Sequence, residues 1–424
     1  MKCIVKESII SGSVYISPSK SETMRAIVFA SMAKGVSKIY NILQSPDTYA
    51  MIEGVKSFGV KVNEEINYLE ILGVDGKLET PKHMIDVGNS GLALRFLSGM
   101  AALVEGEVLI TGDESIRSRR PILPLLDIYK KCGMTISSFN DNGTFISIKG
   151  KMKPGTIVVD GSDSQIISSL LFTTSFLEAG SEIFVMNPGE KPWVSLTIHW
   201  LDFVGIKVYN DCYRFYEIEG EASYNGFSSL IGGDYSTALF TIAGAMISGG
   251  ELSIYGLKQD SKQADKLVLD IFRKMGSRIV FDEGRLNVSS VDSIIGVDIN
   301  INDCIDALPI LSVVATFAST KTVIRGAEIA RLKESNRIKE MADQLKAMGA
   351  RIEEKSDGMV IYPSKLHGST LEGRDDHRII LSLLVAGCRA SGVTVINGVE
   401  AMVKSYPTGI YDFISCGMDI NLII

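Results

Sequence analysis

Apolar and polar positions along the chain follow one phrase that recurs six times: an apolar helix end, a glycine, then a short lead into a β-branched strand. It reads Phe58-Gly59-Val60-Lys61-Val62, Cys132-Gly133-Met134-Thr135-Ile136 and Val204-Gly205-Ile206-Lys207-Val208 in the first half. It returns as Met275-Gly276-Ser277-Arg278-Ile279, Met348-Gly349-Ala350-Arg351-Ile352 and Cys416-Gly417-Met418-Asp419-Ile420. The glycines fall at 59, 133, 205, 276, 349 and 417, so neighbouring copies lie 68–74 residues apart. A second helix-to-strand phrase precedes each copy by about 25 residues, as a repeat architecture requires. It reads Lys34-Gly35-Val36, Glu105-Gly106-Glu107, Ala179-Gly180-Ser181, Gly249-Gly250-Glu251 and Ser391-Gly392-Val393; only Ser319-Thr320-Lys321 lacks the glycine. Glycine suits the position just past a helix, where φ is positive. Each repeat is expected to hold two helices and about four strands.

The first helix of a repeat is suited to burial. Residues 93–103 and 239–247 are apolar on nearly every face, and such a helix belongs in a core. An α/β fold with helices inside and sheets outside follows, six repeats dividing naturally into two domains of three. A length of 424 residues also exceeds one ordinary core. With 46% hydrophobic and 22% charged residues the chain reads as a soluble globular protein. A net charge of −7 argues against nucleic-acid binding through bulk positive charge. The apolar runs 308–318 and 379–388 are too short to span a bilayer, and no export signal is evident, so no membrane association is expected. Six cysteines without a C-x-x-C pair, and four histidines without ligand spacing, predict a reduced cytoplasmic protein with no metal site.

Charged and hydroxyl residues gather where helices should begin. Ser19 and Glu22 have the spacing of a capping box, which sets Lys20 and Ser21 at a helix N-terminus, where an anion is favoured. Arg25 lies one turn on. Gly88-Asn89-Ser90-Gly91 precedes the apolar helix carrying Arg95, a cation costly to bury unpaired. Arg117, Arg119 and Arg120 stand before Pro121, which is read as opening the next helix. Asp160-Gly161-Ser162-Asp163-Ser164-Gln165 crowds acids, hydroxyls and an amide onto one turn. Asp306 has the position of an N-cap before an apolar helix. Lys333-Glu334-Ser335-Asn336-Arg337 sets two cations at i and i+4 of an expected helix, where they repel unless an anion bridges them. Asp375-Asp376-His377-Arg378 opens another apolar helix, and Lys404-Ser405-Tyr406-Pro407 begins the last repeat. Capping or solvation explains each stretch alone. Together, Lys20, Arg25, Arg95, Arg120, Lys333, Arg337, Arg378 and Lys404 put cations at helix starts in both halves of an acidic protein. That distribution predicts one pocket for several negative charges, assembled between the domains.

Those stretches, in that order and over essentially the whole chain, resemble the 5-enolpyruvylshikimate-3-phosphate synthase family of enolpyruvyl transferases. The resemblance implies an inside-out, barrel-like α/β fold of two domains, each with three βαβαββ repeats. It implies a discontinuous domain of residues 1–18 and 232–424, with residues 19–231 inserted. It further implies that phosphoenolpyruvate gives its enolpyruvyl group to the 5-hydroxyl of shikimate 3-phosphate, releasing phosphate, on the route to aromatic amino acids. The implied partners are those two small molecules, closing the domains as they bind, with no nucleic acid, no membrane and no cofactor; a monomer is expected.

Matched position by position, Lys20 is similar to the family's lysine shared by both substrates, and Ser21 and Arg25 to shikimate-3-phosphate ligands. Gly91 resembles the glycine of the phosphoenolpyruvate site, with Arg120, Arg337, Arg378 and Lys404 as its cations and Lys333 as a bridging lysine. Ser164 and Gln165 match a Ser-Gln pair on the shikimate phosphate and reacting centre, with Ser162 or Asp163 replacing a hydroxyl in a turn one residue short. The implied catalytic set is Lys20, Asp306, Glu334, His377 and Lys404. Glu334 would protonate the methylene carbon, while Asp306, aided by Lys20 or Lys404, would take the hydroxyl proton.

Several positions depart from the family's pattern. They include Ser17-Pro18, Met24, Leu92, Phe96, Ile329 and above all Glu190-Lys191-Pro192-Trp193, where the family has Ser-(Lys/Arg)-Pro-Tyr. A carboxylate against a phosphate is unfavourable, so Glu190 is expected to turn away, towards a cation. Two rival readings are weaker. The UDP-N-acetylglucosamine enolpyruvyl transferases usually carry a reactive Cys where this chain has Ser115-Ile116-Arg117-Ser118-Arg119, and Lys-Asn where it has Lys20-Ser21. A non-catalytic anion-binding repeat protein would be expected to have lost Lys20, Glu334 or Arg378.

Overall fold

The computed structural model describes residues 1–118, 122–138, 145–289 and 293–423. By contact the chain divides into two compact units, Met1–Ser19 with Gly232–Ile424, and Lys20–Ile231. Among the described residues the strands form six four-stranded sheets, three per unit. Every sheet begins with a parallel pair and continues antiparallel. Thr156–Asp160 runs parallel to Ser181–Met186, which needs a crossover, and the helix Ser164–Ser175 supplies it. After a second helix, Lys191–Phe203, the hairpin Val208–Asp211 and Phe215–Ile218 completes a βαβαββ unit.

Three strands come from elsewhere in the chain. Lys2–Lys6 pairs with Val393–Asn397 and Asp419–Ile423, so the N-terminus closes the last repeat. Gly12–Tyr15 lies parallel to Glu251–Tyr255 and opens the fourth repeat before the chain leaves for the other unit. Ser228–Leu230 lies parallel to Lys34–Tyr40 and opens the first repeat from the far end of the inserted segment.

The first helix of each repeat is buried, as its apolar circumference requires. In one unit Tyr235–Ser248, Leu308–Thr316 and His377–Gly387 pack on one another. In the other, Gly91–Ala101 packs against both Lys20–Met32 and Ser164–Ser175. Strands such as Ser181–Met186 alternate buried and exposed residues, one face on these helices and one in water. This is an inside-out layering. The hydroxyls of Thr173, Thr174 and Ser175 are accommodated by donating to the carbonyls of Ser169, Leu170 and Leu171, one turn back. A Cβ on Gly99 would come within 2.4 Å of Thr173 Oγ1, so this glycine sets how closely two buried helices approach.

The six repeated glycines all adopt φ between +87° and +107°. In the second phrase Gly35, Gly249 and Gly392 also have positive φ, between +84° and +88°, whereas Gly106 and Gly180 do not. A Cβ at Gly106 would meet Thr80 Cγ2 at 2.3 Å, so close packing excludes a side chain there. The helix after the arginine cluster runs Leu123–Lys131 with Pro124 in its first turn; Pro121, read as its opening, lies outside the described residues. Among the described residues no helix is long and apolar enough to cross a membrane.

Candidate active site

In the unit containing the C-terminal half, two arginines and four carboxylates converge on the starts of buried helices. Arg337 opens the helix Arg337–Ala347 and is 1% exposed. Its Nη1 donates to Asp306 Oδ1 at 2.6 Å, its Nη2 to Glu334 Oε2 at 2.6 Å, and its Nε to Asp376 Oδ2 at 2.8 Å. Asp376 also accepts from Ser335 Oγ and caps the next helix by accepting from the Arg378 amide at 2.9 Å. Arg378 donates through Nη2 to Asp306 Oδ2 at 3.2 Å, and through Nη1 to the Asp306 carbonyl at 3.2 Å and Asp265 Oδ2 at 3.4 Å.

The electrostatics follow from this lattice. Burial alone would raise the Asp306 carboxyl, but Arg378, Arg337 and Lys333 outweigh it and hold the group well below the ordinary carboxylate range. Burial would likewise lower both guanidiniums, yet Asp376, Glu334 and Asp306 raise Arg337, and Asp306 and Asp265 raise Arg378. Asp265 behaves oppositely. Full burial dominates over Arg378, and Asp306 adds to it, so its carboxyl is pushed up to about 7.

Three sequence expectations are corrected here. Asp306 does not cap the Leu308–Thr316 helix; it lies on the 3-10 turn Asn302–Ala307 and spends its carboxylate on two guanidiniums. Lys333 and Arg337 do not share a helix face, because Asn336 accepts from the Lys339 amide and starts the helix after Lys333. Lys404 ends the 3-10 turn Val399–Lys404, and its Nζ donates to the Asp375 carbonyl at 3.2 Å. Lys333 and His377 are both buried, the latter at the first position of the His377–Gly387 helix.

The other unit carries its own set. Lys20 opens the Lys20–Met32 helix and its Nζ lies 3.1 Å from Asp47 Oδ2. Arg25, fully buried, is held by neutral groups: Nε donates to Thr197 Oγ1 at 2.9 Å, Nη1 to the Ser21 carbonyl at 3.1 Å and Nη2 to the Trp193 carbonyl at 3.3 Å. Desolvation pushes its guanidinium down to about 10, only partly offset by Glu22. Arg95 ties two helix starts together. Its Nη1 donates to the Gly91 carbonyl at 3.4 Å and its Nη2 pairs with Asp163 Oδ2 at 3.2 Å, while Asp163 Oδ1 accepts from the Gln165 amide at 3.0 Å. The Ser162 amide donates to Asp160 Oδ1. Arg120 lies outside the described residues.

Glu190, expected to turn away from the acceptor's phosphate, reaches the serine turn. It is buried with φ at +45°, and its Oε2 accepts from both the amide and the hydroxyl of Ser164, each at 3.1 Å. The N–H groups at the start of the Ser164–Ser175 helix have no carbonyl of their own helix to donate to, and attract a carboxylate as they would any anion. Asp265, Asp47 and Thr197 were not singled out in the sequence. Asp265 is one acid in Gln263-Ala264-Asp265, with no local pattern to separate it from the exposed Asp270.

Fold and site together define an inside-out α/β repeat protein in which buried arginines, several of them paired with carboxylates, gather at helix starts. The sequence matches the family described as EPSP synthase (3-phosphoshikimate 1-carboxyvinyltransferase) over residues 4–412. Relatives named 3-phosphoshikimate 1-carboxyvinyltransferase include that of Acetivibrio thermocellus, 38% identical over 98% of both chains. That of Ruminiclostridium cellulolyticum is 39% identical over 99% of both. The solved EPSP synthase of Acinetobacter baumannii superposes with a TM-score of 0.82 at 25% identity, covering 99% of this chain and 100% of that one. The chain belongs to the EPSP synthase family.

Proposed function

We propose that the protein transfers the enolpyruvyl group of phosphoenolpyruvate to the 5-hydroxyl of shikimate 3-phosphate and releases phosphate. Family membership over nearly the whole chain supports the reaction. The observation that carries the site is the Arg337–Asp306–Arg378 lattice, in which one carboxylate is kept ionised between two guanidiniums. Asp306 is ionised and so able to accept the proton of the attacking hydroxyl, and its basicity rises as the donor draws Arg337 and Arg378 away from it. Glu334 is bound to Arg337 Nη2; a donor carboxylate that takes over this guanidinium releases Glu334, which binds a proton from solvent and passes it to the methylene carbon. The hydroxyl oxygen bonds to C2 as its proton passes to Asp306. Glu334 then takes a proton back from the methyl carbon as the C2–O bond to phosphate breaks, which gives the enol ether. Arg378, Lys333 and Lys404 are assigned to the donor's charges, with His377 beside them, and offset the charge on the departing phosphate.

On the other unit, Lys20 is assigned to both substrates, Gly91 and Arg120 to the donor, and Ser21, Arg25, Ser162, Ser164 and Gln165 to the acceptor. Arg25 fits an anionic ligand, since its present partners are neutral and burial disfavours its charge. The protein is assigned as a cytoplasmic monomer. Phosphate should appear only when phosphoenolpyruvate and shikimate 3-phosphate are supplied together, without added metal. Equal turnover with UDP-N-acetylglucosamine in place of shikimate 3-phosphate overturns the acceptor, and a strict metal requirement overturns the mechanism.

A further inference from the structure

Asp265 is a buried carboxylate outside the set that the reaction requires. It sits in the 3-10 turn Ala264–Leu267, and Gln263 fixes that turn by accepting from the Tyr235 amide and donating to the Gly233 carbonyl. The Asp265 side chain is 0% exposed. Its Oδ2 accepts from Ser236 Oγ at 2.5 Å and reaches Arg378 Nη1 at 3.4 Å, while its Oδ1 has no hydrogen-bond partner among the described residues.

A carboxylate so poorly satisfied is costly to keep charged, and the Arg378 guanidinium is what offsets that charge. Arg378 is itself shared with Asp306, and its Nε has no hydrogen-bond partner among the described residues. The charge count around it runs the wrong way for an anionic ligand. Asp265, Asp306, Asp376 and Glu334 face Arg337 and Arg378, with Lys333 nearby. Asp376 is the well-satisfied member, with Arg337, Ser335 and the Arg378 amide all donating to it. Asp265 is fully buried with one carboxylate oxygen unpartnered among the described residues, which suits it to lose its charge.

We propose that Asp265 is a protonatable positioning residue, holding Arg378 in the donor-free protein and taking up a proton when phosphoenolpyruvate claims that guanidinium. The inference rests on the assignment of Arg378 to the donor. A donor anion draws on the same positive charge that stabilises ionised Asp265, and a buried carboxylate deprived of it binds a proton from solvent, forming an O–H bond at one carboxyl oxygen. The groups that face Asp265 are Arg378 from the His377–Gly387 helix, Cys304 and Asp306 from the Asn302–Ala307 turn, and Asp234 at the start of the Tyr235–Ser248 helix. Asp270 and Arg273 on the following helix pair with each other at the surface. Cys304 is thiol, not thiolate, in this range, because burial pushes it far up. Asp306 and Asp234 both raise Asp265, in keeping with its position near 7.

The sign of the pH dependence follows from linkage. The donor binds better to the protonated form, so affinity is flat below the pKa of the free protein and falls by about tenfold per pH unit above it. With that pKa at about 7, donor binding at pH 8 should take up close to one proton. The test is calorimetric titration of phosphoenolpyruvate into protein holding 5-deoxyshikimate 3-phosphate, which lacks the attacking hydroxyl, at pH 8, in two buffers of different ionisation enthalpy. Wild type should show uptake approaching one proton. Asp265→Asn should take up about one proton fewer than wild type and bind about tenfold tighter at pH 8, with a correspondingly shallower dependence on pH between about 7 and 8.5. A purely structural Asp265 would leave the proton count unchanged, and equal uptake in both proteins overturns the proposal. Should the variant fail to fold, wild type alone decides, since uptake near zero at pH 8 is equally fatal. Absence of phosphate release in wild type would instead refute the proposed reaction, so the two failures are distinct.

Discussion

Removing the Glu190 carboxylate should tighten binding of shikimate 3-phosphate. Glu190 Oε2 occupies the amide and hydroxyl of Ser164 at 3.1 Å each, on the helix start assigned to the acceptor. An arriving phosphate meets this carboxylate in one of two ways. If Glu190 stays, two charges about 4 Å apart repel by about 4 kcal/mol at an effective dielectric near 20. If it leaves, it gives up two hydrogen bonds to a charged acceptor, each worth about 1.5–3 kcal/mol. Both routes penalise the complex by several kcal/mol, and relaxation of the site recovers part of that. Glu190→Ser should therefore lower the dissociation constant for shikimate 3-phosphate by at least about tenfold, or about 1.4 kcal/mol. Glu190→Gln keeps the shape and an oxygen for Ser164, so it should recover most of the same gain. The left-handed backbone at 190 is no worse for Ser or Gln than for Glu, so strain does not confound the comparison. Calorimetric titration of the acceptor in the absence of donor measures the effect. Unchanged or weaker binding in both variants would refute the reasoning and place the acceptor's phosphate away from Ser164.

Two further substitutions probe the lattice in the other unit. Glu334→Gln keeps the contact with Arg337 but carries no transferable proton, so turnover should fall by roughly 10²–10⁴-fold with little change in acceptor binding; near-normal turnover removes Glu334 from the mechanism. Asp376→Asn retains a cap for the His377–Gly387 helix but weakens the charged hydrogen bonds from Arg337, which keeps Asp306 and Glu334. It should destabilise the fold by about 1.5–3 kcal/mol, read as a shift in the urea unfolding midpoint, and a loss below about 0.5 kcal/mol would count against the buried pair.

The repeat and its layering were legible because both rest on local chemistry. Gly59 and its five counterparts mark a backbone conformation that other residues disfavour, and residues 93–103 are apolar on nearly every face whatever surrounds them. Gly106 misled for the complementary reason: its smallness serves contact with Thr80, a neighbour no local window reveals. The site divides along the same line. Lys20, Gly91, Ser164 and Arg378 were legible as residues of helix starts. Their ion-pair partners are not adjacent in sequence: Asp47, on the second helix of the same repeat, pairs with Lys20, and residues of other repeats pair with Arg95 (Asp163) and Arg378 (Asp265). Asp306 was placed correctly before its helix, yet its role as a cap was wrong, because two guanidiniums distant in sequence outcompete its own helix's amides.

The topology explains why the charged residues gather at these starts at all. In each repeat a strand, a buried helix and a parallel strand follow in order, so the helix begins at the carboxyl end of the first strand, where α/β folds leave room for ligands. Repeating the unit three times brings three such starts together within a unit. Each start supplies free N–H groups, and a helix buried on every other side has only this end at which polar chemistry is tolerated. Arg378 at the start of one helix can then meet Asp306, just before another, and Asp265, just after the third helix's strand. Borrowed strands close the arrangement, since Gly12–Tyr15 and Ser228–Leu230 set the first strand of the repeats whose buried helices start at Tyr235 and Lys20. The inside-out layering thus gathers buried cations at these helix starts, where Arg337 and Arg378 meet carboxylates and Arg25 meets only neutral groups.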